Sequence, residues 1–156
     1  MKVIIEGVDG VGKTTLAKKM AELFNLEYSH DSKPRTYKEY VEELSNGKDR
    51  IYDRFFFGQF AGYQSADERL VNNYELVSLL NYCQSNGIIV IVCYDKVENI
   101  LKRFKYNDSD VEWMNKTGFN SAKEFITKIQ EGFLNIAKLG GTYINYLDMS
   151  KVIPSE

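Results

Sequence analysis

Apolar residues along this chain fall into two kinds of run, short continuous ones and longer ones spaced three and four apart, and the two kinds alternate. Lys2-Val-Ile-Ile-Glu6 is continuous and reads as a buried strand, after which Thr14 to Asn25 places Leu16, Met20, Leu23 and Phe24 at helical spacing. Leu26 to Ser29 predicts a second strand, Thr36 to Leu44 a short helix closed by Asn46-Gly47, and Arg50-Ile-Tyr-Asp53 a brief third strand. From Asp67 to Ser85, the residues Leu70, Val71, Tyr74, Val77 and Leu80 predict a helical stripe that Asn86-Gly87 stops. Ile88 to Tyr94 is an unbroken, mostly β-branched run, as expected of a strand covered on both faces in a parallel sheet. Val97, Ile100, Leu101 and Phe104 mark another short helix, followed by a polar stretch from Tyr106 to Gly118. Ala122, Phe125, Ile126, Ile129, Phe133, Ile136 and Ala137 outline the clearest amphipathic helix; Gly140-Gly141 ends it, and Thr142 to Leu147 predicts a last strand. Alternation of strand and helix with right-handed crossovers implies an α/β fold, a three-layer α/β/α sandwich around a parallel sheet of about five strands.

Composition mostly closes off alternatives. The 156 residues, 44% hydrophobic and 27% charged, fit a single domain spanning 1–156. No apolar run approaches the roughly 20 residues of a membrane span, and the opening run is too short for a signal-peptide core, so a soluble, cytoplasmic protein with no membrane partner is expected. Twenty Lys and Arg against 22 Asp and Glu leave a net charge of -2, which gives no field for sequence-independent nucleic-acid binding. Cys83 and Cys93 have no Cys or His at metal-ligand spacing and read as buried thiols, and His30, the single histidine, has no serine context for a catalytic triad.

Between the first strand and the first helix lies Gly7-Val-Asp-Gly-Val-Gly-Lys13-Thr14, which fits G-x-x-x-x-G-K-[ST] in full and in the required context. Its glycines let successive backbone N–H groups turn inward onto phosphate oxygens at the positive end of a helix. Residues Asp9, Gly10, Val11, Gly12, Lys13, Thr14 and Thr15 are therefore the candidate cradle for ATP. Lys13 would reach the β- and γ-phosphates, and the Thr14 hydroxyl would serve Mg²⁺. Asn115-Lys116-Thr117-Gly118 looks superficially like a guanine-reading Asn-Lys-x-Asp segment, but Gly118 has no carboxylate for the guanine N–H groups.

Further residues carry a resemblance. The Asp at the third loop position and the paired Thr14-Thr15, with Asp53-Arg54-Phe55 downstream, are similar to thymidylate kinases, which are P-loop kinases; Asp53-Arg54-Phe55 looks like their Asp-Arg-aromatic motif. Ala61 to Gln64 resembles the Ala-Tyr-Gln that follows it, with Gly62 as an extra residue and Gly58 where Ser is usual. Asp95 to Lys105 resembles the strand-end Asp and basic helix leading into a lid, here about residues 106–118, and Glu124 to Ala137 resembles the penultimate helix. The chain departs from that family in the shortness of the helix before Asp53 and in a lid region whose only arginine is Arg103.

The expected activity is Mg²⁺- and ATP-dependent phosphoryl transfer to a small-molecule nucleotide, a deoxynucleoside monophosphate such as dTMP. Asp53, at the end of a strand beside the first, would stand near Mg²⁺ and the attacking group, so Thr14 and Asp53 are the candidate metal ligands. Arg54 would clamp the acceptor phosphate or the transferring group with its planar fork, and Arg103 would stabilise the γ-phosphate charge. Asp9 is implied by the resemblance to contact the acceptor. Arg35 would hold its phosphate, Phe55 would stack on its base, and Gln64 (or Gln59) would read the polar edge. Asp95 reads first as a helix N-cap and second as a metal carboxylate. Two other readings stay open: a kinase for a deoxynucleoside or for a hydroxymethylated pyrimidine in DNA, and an ATP-binding regulatory module with little turnover. The resemblance allows a homodimer, and the compact size fits kinases of bacteriophages, which act in the host cytoplasm.

Overall fold

The computed structural model describes residues 1–30, 33–103 and 121–153. Phe104, Lys105, the lid-like stretch 106–118 and its Asn115-Lys116-Thr117-Gly118 lie outside the described residues. Five parallel strands form one sheet: β1 (Lys2–Glu6), β2 (Glu27–Ser29), β3 (Arg50–Asp53), β4 (Ile89–Tyr94) and β5 (Asn145–Asp148), in the order β2-β3-β1-β4-β5. The helices are α1 (Lys13–Phe24), α2 (Tyr37–Leu44), α3 (Asn73–Ser85), α4 (Val97–Arg103) and α5 (Ala122–Leu139). The α/β sandwich with a five-stranded parallel sheet is thus as expected.

β1 is central and wholly buried, as its unbroken apolar run demands. Val3, Ile4 and Ile5 are each 0% exposed, and burial of such a side chain stabilises by about 1.5–3 kcal/mol. In register, Val3 sits between Ile51 and Ile89, and Ile5 between Asp53 and Ile91. Successive side chains alternate faces, so Val3, Ile5, Ile51, Asp53 and Tyr28 belong to one face, and Ile4, Glu6 and Tyr52 to the other. α1 lies on the Asp53 face, close to β3. α3 and α5 pack against β4 after rightward crossovers, which right-handedness assigns to the Glu6 face.

Three elements differ from the sequence pattern. The helix expected from Asp67 begins only at Asn73, because Asn72 and Glu75 form a reciprocal capping box that starts it there, and Ala66–Glu68 is a separate 3-10 turn. Its buried face is Leu76, Leu79, Leu80 and Cys83, whereas Leu70, Tyr74 and Val77 are exposed. The last strand starts at Asn145 rather than Thr142, since Gly141–Tyr143 is a 3-10 turn. In α1, Leu23 and Phe24 face solvent; the small Ala17 and partly buried Leu16, Met20 and Ala21 make the packing face. α5 keeps the expected face, with Phe125, Ile126, Ile129, Phe133, Ile136 and Ala137 all buried.

Candidate active site

The phosphate loop joins β1 to α1. Gly12 is the N-cap of α1 at φ 100, with no side-chain cap, so the first-turn N–H groups keep their capacity for an anion. The positive φ is what calls for glycine here, since the atoms nearest an added Cβ are the mobile ends of Ile153, Met149 and Arg103. Lys13 is buried, its Nζ 3.5 Å from Asp9 Oδ1. A cavity of about 360 Å³ is lined by Gly10, Gly12, Lys13, Thr14 and Thr15 together with Arg103 and Ile153. Val11 is fully buried and contributes its carbonyl, which accepts from Arg103 Nη1 at 2.8 Å.

Asp53 stands at the end of β3 beside this loop. Its Oδ2 accepts the Thr14 hydroxyl at 2.6 Å and the Tyr28 hydroxyl at 2.6 Å. Its Oδ1 is buried and has no hydrogen-bond partner among the described residues. An orphaned carboxylate oxygen is costly to bury, and next to an exposed Thr14 it suits a hard cation that takes oxygen ligands. No group of three or more His, Cys, Asp and Glu gathers as a cage among the described residues; a Mg²⁺ site made of one carboxylate, one hydroxyl, waters and phosphate needs none. Burial and the hydrogen bond to Asp53 push the Tyr28 phenol up to about 12, so it remains a proton donor at neutral pH.

The next residue, Arg54, adopts φ 76, a left-handed conformation that costs a residue with a side chain about 1–2 kcal/mol. The surroundings hold it there. Arg54 N–H donates to Ile5 O at 2.8 Å. Glu6, 0% exposed, accepts from Phe55 N at 3.1 Å and Phe57 N at 3.0 Å. Burial raises the Glu6 carboxyl to about 7, against the pull of the Phe57 and Phe55 amides and of Arg54 and Lys13. The turn aims the Arg54 guanidinium at Asp9, with Nη2 2.8 Å from Oδ1, and over the Tyr63 ring at 4.5 Å. Lys13 and Arg54 thus converge on the same Asp9 oxygen.

Beyond Arg54 lies a second cavity of about 300 Å³, bounded by Pro34, Arg54, Phe55, Tyr63, Gln64 and Glu68 among others. Phe55 lines it while packing against Tyr40 and Tyr52, with ring centres 4.8 and 4.4 Å away. Gln64 lines the cavity with a buried Oε1 that has no partner among the described residues. Gln59 is committed elsewhere: its Nε2 donates to Arg35 O at 2.8 Å and to Tyr40 OH at 2.9 Å, and its Oε1 accepts from Leu70 N at 2.8 Å. It is a strut tying the loop after β2 to α2 and to the approach to α3. Arg35 stands behind Phe55, 6.0 Å from the ring centre, with Glu43 at 4.0 Å.

Asp95 is buried, and its oxygens are engaged. Oδ1 accepts from Lys96 N at 2.7 Å and Asn99 Nδ2 at 2.9 Å, and Oδ2 pairs with Arg103. The backbone N–H it takes is that of Lys96, ahead of α4, rather than one of the helix's first turn as the expected N-cap would; with Asn99 and Arg103 it braces the start and end of α4, and Arg103 reaches the Val11 carbonyl of the phosphate loop. The sequence reading missed Glu6 and Tyr28. A carboxylate closing an otherwise apolar strand is a readable signal for the first; nothing in a three-residue edge strand singled out the second.

No family model matches this chain. It is 23% identical over 171 residues to a probable thymidylate kinase of Methanocaldococcus jannaschii, covering 88% of this chain and 82% of that one. It is 28% identical over 115 residues to a probable thymidylate kinase of Picrophilus torridus, covering 73% of this chain and 53% of the relative. Among solved structures, YorR protein of Bacillus subtilis in complex with phosphorylated GDP has a TM-score of 0.72 at 17% identity, covering 97% of this chain and 87% of that one. In sequence the chain is thymidylate kinase-like, and its fold is that of P-loop kinases.

Proposed function

We propose that the protein is a Mg²⁺- and ATP-dependent kinase that transfers the γ-phosphoryl group to a deoxynucleoside monophosphate, with dTMP as the acceptor. The observation that carries this reading is the link between the two cavities: Arg54, which lines the aromatic, amide-lined one, shares Asp9 with Lys13 of the phosphate-loop one, whose Thr14 donates to Asp53 beside Arg54. The thymidylate kinase relatives support dTMP as the acceptor.

Phosphoryl transfer asks mainly for positioning and charge neutralisation. The backbone of residues 9–15 and Lys13 would hold the ATP phosphates, and Arg103, fixed by Asp95, would face their outer oxygens. Thr14 and Asp53 Oδ1 would hold Mg²⁺, which when bound screens the phosphate charges. Arg54 lines the aromatic cavity and would bridge the acceptor phosphate and the transferring group, releasing part of its hold on Asp9 as it does so. Phe55 and Tyr63 would wall the acceptor, Gln64 Oε1 would accept a hydrogen bond from its base, and Arg35 would back the pocket.

The test is transfer of labelled γ-phosphate from ATP to a panel of dTMP, dUMP, dCMP, dGMP, thymidine, and DNA with normal or hydroxymethylated pyrimidines. Lys13-dependent label in dTDP is expected, and both Lys13→Ala and Asp53→Asn should lower kcat by at least about a hundredfold, on the scale of lost electrostatic groups in active sites. Label appearing only in thymidine or only in DNA would replace the monophosphate reading. Nucleotide binding without transfer to any acceptor would remove it.

A further inference from the structure

Tyr28 comes from β2, the shortest strand and one edge of the sheet, yet its hydroxyl reaches the centre of the candidate site. Register explains the reach. Tyr28 pairs with Ile51 of β3, and Asp53 lies two residues farther along the same face. α1 crosses that face and brings two residues down one helical turn apart: Thr14 donates to Asp53, and Lys18 sits 5.5 Å over the Tyr28 ring. The Tyr28 hydroxyl closes the arrangement by donating to Asp53 Oδ2.

Both of these hydrogen bonds fall on one carboxylate oxygen. Oδ2 carries two donors at 2.6 Å, and Oδ1 carries none. A carboxylate held by one donor can still rotate about its terminal torsion, which is broad; two donors from different elements, one on α1 and one on β2, fix which oxygen faces the site. The Thr14 hydroxyl would give the metal an oxygen lone pair and can keep its proton on Asp53 Oδ2. Tyr28 serves no metal, so its hydroxyl is a second donor that holds the same oxygen from another element.

We propose that Tyr28 is a positioning residue for phosphoryl transfer, its hydroxyl locking Asp53 so that Oδ1 is the oxygen presented to the metal and the reacting groups. This inference rests on the kinase reading above, and its test is arranged so that the two can fail separately. Tyr28→Phe removes one oxygen and keeps the ring under Lys18. In the variant, kcat should fall about tenfold, the worth of one charge-assisted hydrogen bond, with KM for ATP and for the acceptor within about twofold of the parent.

The second readout needs no turnover. Mn²⁺ titrated into the complex with ADP and followed by its paramagnetic signal should bind several-fold more weakly to Tyr28→Phe, whereas ADP affinity without metal should be unchanged. A Tyr28→Phe protein with parental kcat and parental Mn²⁺ affinity overturns the proposal. So does a variant that loses metal-free ADP affinity and melting temperature together, since that outcome makes Tyr28 a packing residue only. If the parent transfers phosphate to no acceptor, the kinase reading fails, while the Mn²⁺ titration still decides the role of Tyr28.

Discussion

Glu6 has an unusual position for a charged side chain: it is 0% exposed, yet its two oxygens hold the amides that follow Arg54. Its carboxyl is raised from an ordinary 4.5 to about 7, with burial as the main cause. A native pKa above the unfolded one means that the folded protein keeps a proton the unfolded chain has already lost between pH 4.5 and about 7. Unfolding free energy contributed by this group therefore declines as pH rises through that window. Glu6→Gln deletes the titration. Urea unfolding of both proteins from pH 4.5 to 7 should show the parent losing stability relative to the variant as pH rises; a constant difference would count against the burial effect. Much of the site at this scale was legible beforehand, because Gly7 to Thr14 is a local pattern whose geometry follows from glycines and a helix start. Glu6 and Tyr28 act through partners 49 and 25 residues away, and no spacing rule connects such pairs.

Helices and strands show where local pattern suffices and where it does not. α5 was readable because six buried positions repeat along 18 residues, so one phase fits and its neighbours do not. α3 has apolar residues on more than one side, and of the expected stripe Val71 and Leu80 are buried while Leu70, Tyr74 and Val77 are exposed; Leu76, Leu79 and Cys83 complete the buried face instead. The capping box at Asn72 was the signal that would have corrected the start. β5 was misplaced at its start for a related reason, since a 3-10 turn and a strand end look alike over three residues. α5 also carries a prediction of its own. Glycine inside a helix is normally worth replacing, with Ala about 1 kcal/mol better, but a Cβ at Gly132 would stand 2.1 Å from the Ala61 carbonyl oxygen. That contact is backbone and cannot swing aside. Gly132→Ala should therefore lower stability, by about 1–3 kcal/mol as overpacking does, and thermal melts would show it; a higher melting temperature would mean that α5 sits farther from residues 57–63 than described.

At the scale of the whole molecule, alternation of strand and helix led to the right class of fold, whereas the strand order came only with the structure. Parallel pairing leaves all the carboxyl ends of the strands on one edge, and that edge is where the phosphate loop, Asp53 and Asp95 meet after β1, β3 and β4. The order also puts the earliest strand in the middle. β1 occupies residues 2–6, but its neighbours are β3 at 50–53 and β4 at 89–94. A chain emerging from the ribosome therefore presents its fully buried central strand long before either flank exists, and half of the backbone pairing of that strand waits until Tyr94 has been made. An unpaired apolar edge is a template for other chains, and long-range parallel pairing is slow. A fragment ending at residue 88 should accordingly aggregate, or remain unfolded by amide exchange, while the full chain folds. If the fragment instead gave a soluble, protected β2-β3-β1 sheet, assembly would proceed one strand at a time; otherwise the nascent chain depends on protection of β1 until β4 arrives.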